Sequence, residues 1–173
     1  RMPDFPVEGL VAASSRVFVA LGVPSDMALQ LSKWLASSNL SGHPSHGFQR
    51  VPEYVGRVMD EGWDAAARPE VTAETDTTVL IDGKKGFGHF GAEMLTRTLA
   101  EKARTSHVAM GGIVRSTHIG RLGEWSELGA DLGVLNFMCV GRSIDGPAAP
   151  FGGGEGRMLT NPLTFGAPAA EDD

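Results

Sequence analysis

Two short apolar runs decide what the second half of this chain can become. VAMGGIVR covers residues 108–115 and GVLNFMCV residues 133–140, and LGEWSELGAD, residues 122–131, lies between them with its apolar side chains at helical spacing. Runs of this length suit strands, whereas the intervening stretch suits a short helix. Strand, helix, strand in succession predicts an α/β arrangement. Strands that lack polar alternation predict a sheet covered on both faces. TTVLIDG, residues 77–83, adds a strand that ends in a turn, and GAEMLTRTLAEKART, residues 91–105, a helix with Leu95, Leu99 and Ala103 on one face. TNPLTFGAP, residues 160–168, holds one more strand.

Before about residue 70 the pattern is helical. Val7, Leu10, Val17, Phe18 and Leu21 share a face that Gly22 closes. Ser25 is placed to cap a second helix whose stripe is Met27, Leu31, Trp34 and Leu35. A polar loop follows. Pro52 then suits the first turn of a third helix, where its missing N–H costs little, and Val51, Tyr54, Val55, Val58 and Met59 recur at helical spacing up to Gly62. The division expected is 1–70, a helical region, and 71–173, an α/β portion incomplete at its C-terminus. The expected fold class is therefore α/β, a mixed sheet with flanking helices preceded by a helical N-terminal layer.

Composition excludes several functions. The chain has 173 residues, 42% of them hydrophobic, which is enough apolar material for a core. Its formal net charge is -6 and it has no basic run, which argues against nucleic acid or an anionic membrane surface as partner. No stretch approaches the roughly 20 apolar residues of a membrane span, and the first residues lack a signal-peptide pattern. A single cysteine, Cys139, allows no disulfide within the chain and fits a reducing compartment, so a cytoplasmic protein is expected.

The chemistry concentrates in SGHPSHGFQR, residues 41–50. His46 can take and return a proton near neutral pH, Arg50 four residues on can bind a carboxylate through two N–H groups, and Tyr54 lies four beyond that. With a helix beginning near Gly47, Arg50 and Tyr54 share a face, and the set suits a 2-hydroxy or 2-oxo acid. His118, in RSTHIGRLGEW, follows a strand and precedes a helix, a common place for a site. A bland reading stands beside each: a loop histidine, a helix cap, a solvated charge. Two sharper motifs are weak. Gly86, Gly88 and Gly91 spell G-x-G-x-x-G, the dinucleotide fingerprint, yet Gly-Lys-Lys separates them from the strand end at Asp82. VAMGGIVR also offers no acidic partner for a ribose, and His89 and Phe90 are bulky against a pyrophosphate. His43 and His46, with His118 or His89, have the makings of a metal site, but no His-Glu-x-x-His motif or cysteine pair supports one, and none is expected.

Taken in order, NLSGHPSHGFQRVPEYVGRV, VLIDGKKGFG, STHIGRLGEW and APFGGGEGRMLTNPLTFGAP resemble the type 2 malate/L-lactate dehydrogenase family, which includes ureidoglycolate, sulfolactate and diketogulonate dehydrogenases and an imino-acid reductase. The resemblance runs from about residue 7 to 168. It implies a non-Rossmann fold, an oxidoreductase using NAD or NADP, and a homodimer with its site near the subunit interface. It assigns acid/base work to a histidine, matching either His46 or His118. It implies substrate contacts at Ser45, Arg50 and Tyr54, and cofactor contacts at Ser143, Thr160 and Asn161. It makes the G-x-G-x-x-G stretch a structural turn. His43 and Pro44 depart from the family's usual residues, and members of the family continue well beyond FGAPAAEDD. The function expected is hydride transfer between nicotinamide and a small 2-hydroxy or 2-oxo acid. The alternative is a truncated, inactive dehydrogenase-like module that binds a small carboxylate.

Overall fold

The computed structural model describes residues 5–141 and 146–169. Helix α1 covers Val7–Ala20 and α2 Ser25–Leu40. Gly22 between them takes a φ of +90°, which favours glycine and turns the chain back. Ser25 is the first residue of α2 and makes no side-chain cap; Pro24 holds the cap position. The polar loop winds into two short 3-10 turns, Pro44–His46 and Phe48–Arg50, and α3 then covers Val51–Asp60. Pro52 falls in the first turn of α3, as expected, while the 3-10 turn over 48–50 takes up the residues that a start near Gly47 would have used.

After this helical layer come β1 (Glu70–Glu74), β2 (Thr78–Asp82), α4 (Gly88–Ser106), β3 (Met110–Val114), α5 (Leu122–Asp131), β4 (Asn136–Cys139) and β5 (Leu163–Gly166). One sheet has the order β1-β2-β3, with β1 antiparallel and β3 parallel to β2, and α4 makes the crossover between the parallel pair. Strands β4 and β5 pair antiparallel as a second sheet that packs on α5. The mixed α/β expectation holds. Strand β1 alternates Val71 and Ala73 with polar residues, yet it is exposed along its length and is an edge that was not singled out in the sequence.

The principal core joins the helical layer to α4 and α5. Phe18 of α1, Leu31 and Trp34 of α2 and Tyr54 of α3 meet Phe87, Ala92 and Trp125. Each large apolar side chain buried here contributes roughly 1.5–3 kcal/mol. A smaller cluster of Val79, Ile81 and Leu95 fixes α4 on one face of the three-stranded sheet. Gly111 makes that approach possible: a Cβ there would lie 2.8 Å from Leu95 Cδ1 and 2.6 Å from the Val79 carbonyl oxygen.

The strands 108–115 and 133–140, whose apolar sequences ask for cover on both faces, are covered on one only. Val79 and Ile81 point at α4, while Leu80, Met110 and Val114 are exposed. In the second sheet Leu135, Leu163 and Phe165 are 81%, 61% and 73% exposed. The chain supplies one helix to each sheet, so each keeps an open apolar face. Met59, expected on the buried stripe of α3, is also exposed.

Candidate active site

The 41–50 loop is held in place by its own backbone. The N–H of His43 donates to the Ser38 carbonyl at 2.8 Å, and the N–H of Phe48 donates to Asn39 Oδ1 at 2.8 Å. That second bond explains Gly47. A Cβ there would lie 1.9 Å from Asn39 Oδ1, so a side chain would break the anchor. Gly47 in turn lets its carbonyl accept the Arg50 N–H at 2.9 Å, which starts the turn leading into α3.

These turns bring His46, Arg50 and Tyr54 together, and the 115–121 segment brings His118 to meet them. Thr117 Oγ1 donates to the Gly86 carbonyl at 2.7 Å and accepts the Gly88 N–H at 3.0 Å, while Trp125 Nε1 donates to the Ile119 carbonyl at 2.9 Å. His118 is clamped between those bonds. The His46 and His118 rings stack with centroids 5.4 Å apart and planes 26° apart. Ser45 Oγ lies 3.0 Å from His46 Nδ1, and His43 meets His46 edge-on at 5.8 Å.

Tyr54 is fully buried, and its hydroxyl lies 2.7 Å from His118 Nδ1. The Gly120 N–H also points at that nitrogen, at 3.3 Å. A backbone amide only donates, so Nδ1 is the acceptor and the neutral ring carries its proton on Nε2. Burial pushes the Tyr54 phenol up, so it stays protonated and donates. Burial, then the charges of Arg50 and His46, push His118 down to about 4. His46 is lowered as well, by burial first and then by the charges of Arg50, His43 and Arg121, with Glu53 opposing. Both rings are held toward the neutral form at pH 7, and His46 is the more exposed of the two.

Arg50 donates from Nε to the Ser45 carbonyl at 2.5 Å and from Nη1 to Glu53, while its Nη2 is left for a ligand. Glu53 is also 3.5 Å from Arg57, which bonds Glu61. Glu53 was not among the residues singled out in the sequence, although its i+3 spacing from Arg50 on a helix was a usable signal. His89 was considered only as a metal ligand or an obstacle to phosphate. It lies behind His118, stacked on Trp34 at 5.7 Å and edge-on to Tyr54, Trp125 and His118, with no hydrogen-bond partner for Nδ1. Arg121 does not serve as a second anion holder, since Glu127 takes both of its terminal nitrogens at 2.7 Å.

The G-x-G-x-x-G stretch serves packing. Gly88 opens α4, and a Cβ there would lie 2.5 Å from the Thr117 carbonyl oxygen and 2.8 Å from that of His118. Gly86 packs against Ala67 and Gly91 against the Ile113 side chain, so all three glycines are used in packing within the protein. Among the described residues, no three His, Cys, Asp or Glu side chains are grouped to hold a metal.

Of the three cofactor positions, Ser143 lies outside the described residues. Thr160 and Asn161 are exposed ahead of β5, Asn161 with a φ of +40°, and no described hydrogen bond or ring contact links either to the histidines. Hollows of about 410 Å³ beside Leu135 and Phe165, and about 460 Å³ beside Arg68 and Arg97, are lined by none of the histidines. Neither hollow is lined by Thr160 or Asn161.

A mixed, non-Rossmann α/β chain with stacked histidines, a buried tyrosine and an arginine is a recognisable class. Residues 5–173 match the malate/L-lactate dehydrogenase family, and the chain belongs to that family. It is 30% identical over 164 residues to the malate dehydrogenase of Pyrococcus abyssi, covering 94% of this chain and 44% of that protein. It is 31% identical over 155 residues to the L-sulfolactate dehydrogenase of Methanothermobacter thermautotrophicus, covering 88% and 44%. The crystal structure of malate dehydrogenase from Entamoeba histolytica superposes with a TM-score of 0.88 at 29% identity, covering 99% of this chain and 47% of that one. The chain spans about half the length of the curated relatives it matches.

Proposed function

We propose that this chain supplies the carboxylate-binding and proton-handling groups of an NAD- or NADP-dependent oxidoreductase acting on small 2-hydroxy and 2-oxo acids. The observation that carries this reading is the convergence of Arg50, His46, His118 and Tyr54 on one face. Arg50 holds the substrate carboxylate and so fixes the position of C2. His46 takes the C2 hydroxyl proton in oxidation and returns it in reduction. Neutral His118, locked by Tyr54 and Gly120 with its proton on Nε2, donates a hydrogen bond to the C2 oxygen. Ser45 orients His46. The nicotinamide, when bound, supplies the hydride acceptor or donor, with Ser143, Thr160 and Asn161 as its proposed contacts. Assembly as a homodimer belongs to the same proposal.

The test is kinetic. Oxidation of NADH or NADPH on adding pyruvate or oxaloacetate is followed by absorbance, with His46→Ala and His118→Ala compared across pH. In this reductive direction the proton donor must be protonated, so the rate falls on the alkaline side; loss of that limb in His46→Ala only supports the assignment, and loss in His118→Ala only reverses the two histidines. The exposure of Thr160 and Asn161 favours one rival, a module that binds a carboxylate without turning it over. Carboxylate binding with no change in absorbance would establish that rival.

A further inference from the structure

The cation assigned to the substrate already has an anion on it. Arg50 gives Nη1 to Glu53 and Nε to the Ser45 carbonyl, so a carboxylate seeking a two-pronged grip has to displace Glu53. Glu53 has somewhere to go. Its other oxygen already lies 3.5 Å from Arg57 Nη2, one helical turn further along α3. Both pairs are partly exposed, so exchanging one for the other costs little.

We propose that Glu53 is a resident counter-carboxylate: it occupies Arg50 in the empty site, moves onto Arg57 when a substrate carboxylate arrives, and by staying beside the site selects acids with one carboxylate over those with two. The inference rests on the proposed role of Arg50. Burial alone would raise the Glu53 carboxyl, but the bond to Arg50 and the charges of Arg50 and Arg57 outweigh it and hold Glu53 below the usual range, so it is an anion at neutral pH. The nearby positive charges are committed: Arg57 to Glu61, and Arg121 to Glu124 and Glu127. A first carboxylate gains Arg50. A second would meet the displaced Glu53, with Arg57 and Arg121 of the described residues already paired, and like charges at such distances repel.

The probes are oxamate, with one carboxylate, and tartronate, a 2-hydroxy acid with two. Dissociation constants are read from shifts of the histidine ring protons in the unmodified chain and in Glu53→Gln, Glu53→Asp and Arg50→Gln. Glu53→Gln is expected to tighten oxamate about 3- to 10-fold and tartronate more, on the scale of a partly exposed charge interaction. Glu53→Asp keeps the charge and is expected to keep the preference for oxamate. A general loosening of α3 would weaken both acids in both variants. Unchanged or weaker binding in Glu53→Gln overturns the proposal. If Arg50→Gln binds oxamate as well as the unmodified chain, or if no variant binds either acid, the carboxylate role of Arg50 fails and the proposal fails with it. Loss of binding in Arg50→Gln with no gain in Glu53→Gln removes the role of Glu53 alone.

Discussion

Tyr54 and His89 show how much of this site depends on single buried side chains. Tyr54 donates to the lone pair that neutral His118 presents at Nδ1. Tyr54→Phe removes that donor while keeping the ring, so His118 is expected to titrate higher than its present value of about 4. Turnover should fall by a few-fold to about 10-fold, the worth of one hydrogen bond. A nuclear magnetic resonance titration of the His118 ring checks the first, and kcat the second. His89 acts through stability. Burial, with the charges of His118 and His46, pushes it down to about 3, whereas in the unfolded chain it takes up a proton near the ordinary 6.5. Between those values the unfolded chain holds more protons, so stability falls as pH drops from about 6.5 toward about 3. The loss is on the order of a few kcal/mol, and urea midpoints at about pH 7 and about pH 5 measure it. His89→Gln, which cannot titrate, should lessen the pH dependence and leave the share that His118, pushed down to about 4, contributes over the same range. At this scale the sequence was informative about His46, Arg50, Tyr54 and His118, whose local spacing carried the signal. The i+3 spacing of Glu53 from Arg50 went unread, and the place of His89 behind His118 depends on packing between elements that no local spacing encodes.

At the scale of elements, the contact that sets the site is the seating of α4 on the 115–121 segment. Gly88→Ala puts a Cβ within 3 Å of two backbone carbonyl oxygens, neither of which can swing aside. We expect a loss of about 1–3 kcal/mol, a drop in Tm of about 2–4 °C per kcal/mol, and displacement of His118. Gly112→Ala is the comparison, since nothing lies within 4 Å of its added Cβ. Thermal unfolding followed by circular dichroism distinguishes the two. Helices α1, α2 and α5 were legible because their apolar residues keep helical period and glycines mark their ends. Strand β1 was not, because the alternation of Val71 and Ala73 is too short to stand out and the strand is made by pairing with β2. The two 3-10 turns before α3 follow from bonds to Asn39 and Gly47, which no periodicity encodes.

The whole molecule is apolar where its sheets are open. Leu135, Leu163 and Phe165 project from the second sheet, and Met110 and Val114 from the first. An exposed apolar surface of this kind drives association. Sedimentation of the 173-residue chain should therefore show concentration-dependent association, reduced in Leu135→Lys with Leu163→Lys while circular dichroism stays unchanged; a monomer at all concentrations would contradict this. The strand sequences did signal that they want cover on both faces. With only the helices 91–105 and 122–131 available as cover, the sequence also signalled that sheet surface would stay open, but not which face of each sheet it would be.

The alternation of Arg50, Glu53, Arg57 and Glu61 along α3 also governs how an anion finds the site. Two positive and two negative charges cancel beyond the Debye length, about 8 Å at physiological ionic strength. What an approaching acid senses from further away is the net charge of -6 on the chain. That field repels it, so capture relies on diffusion rather than steering. Added salt screens the repulsion before it weakens the short-range grip of Arg50. Moderate ionic strength should therefore quicken the encounter with carboxylates, the reverse of what a site advertised by an open basic patch would show.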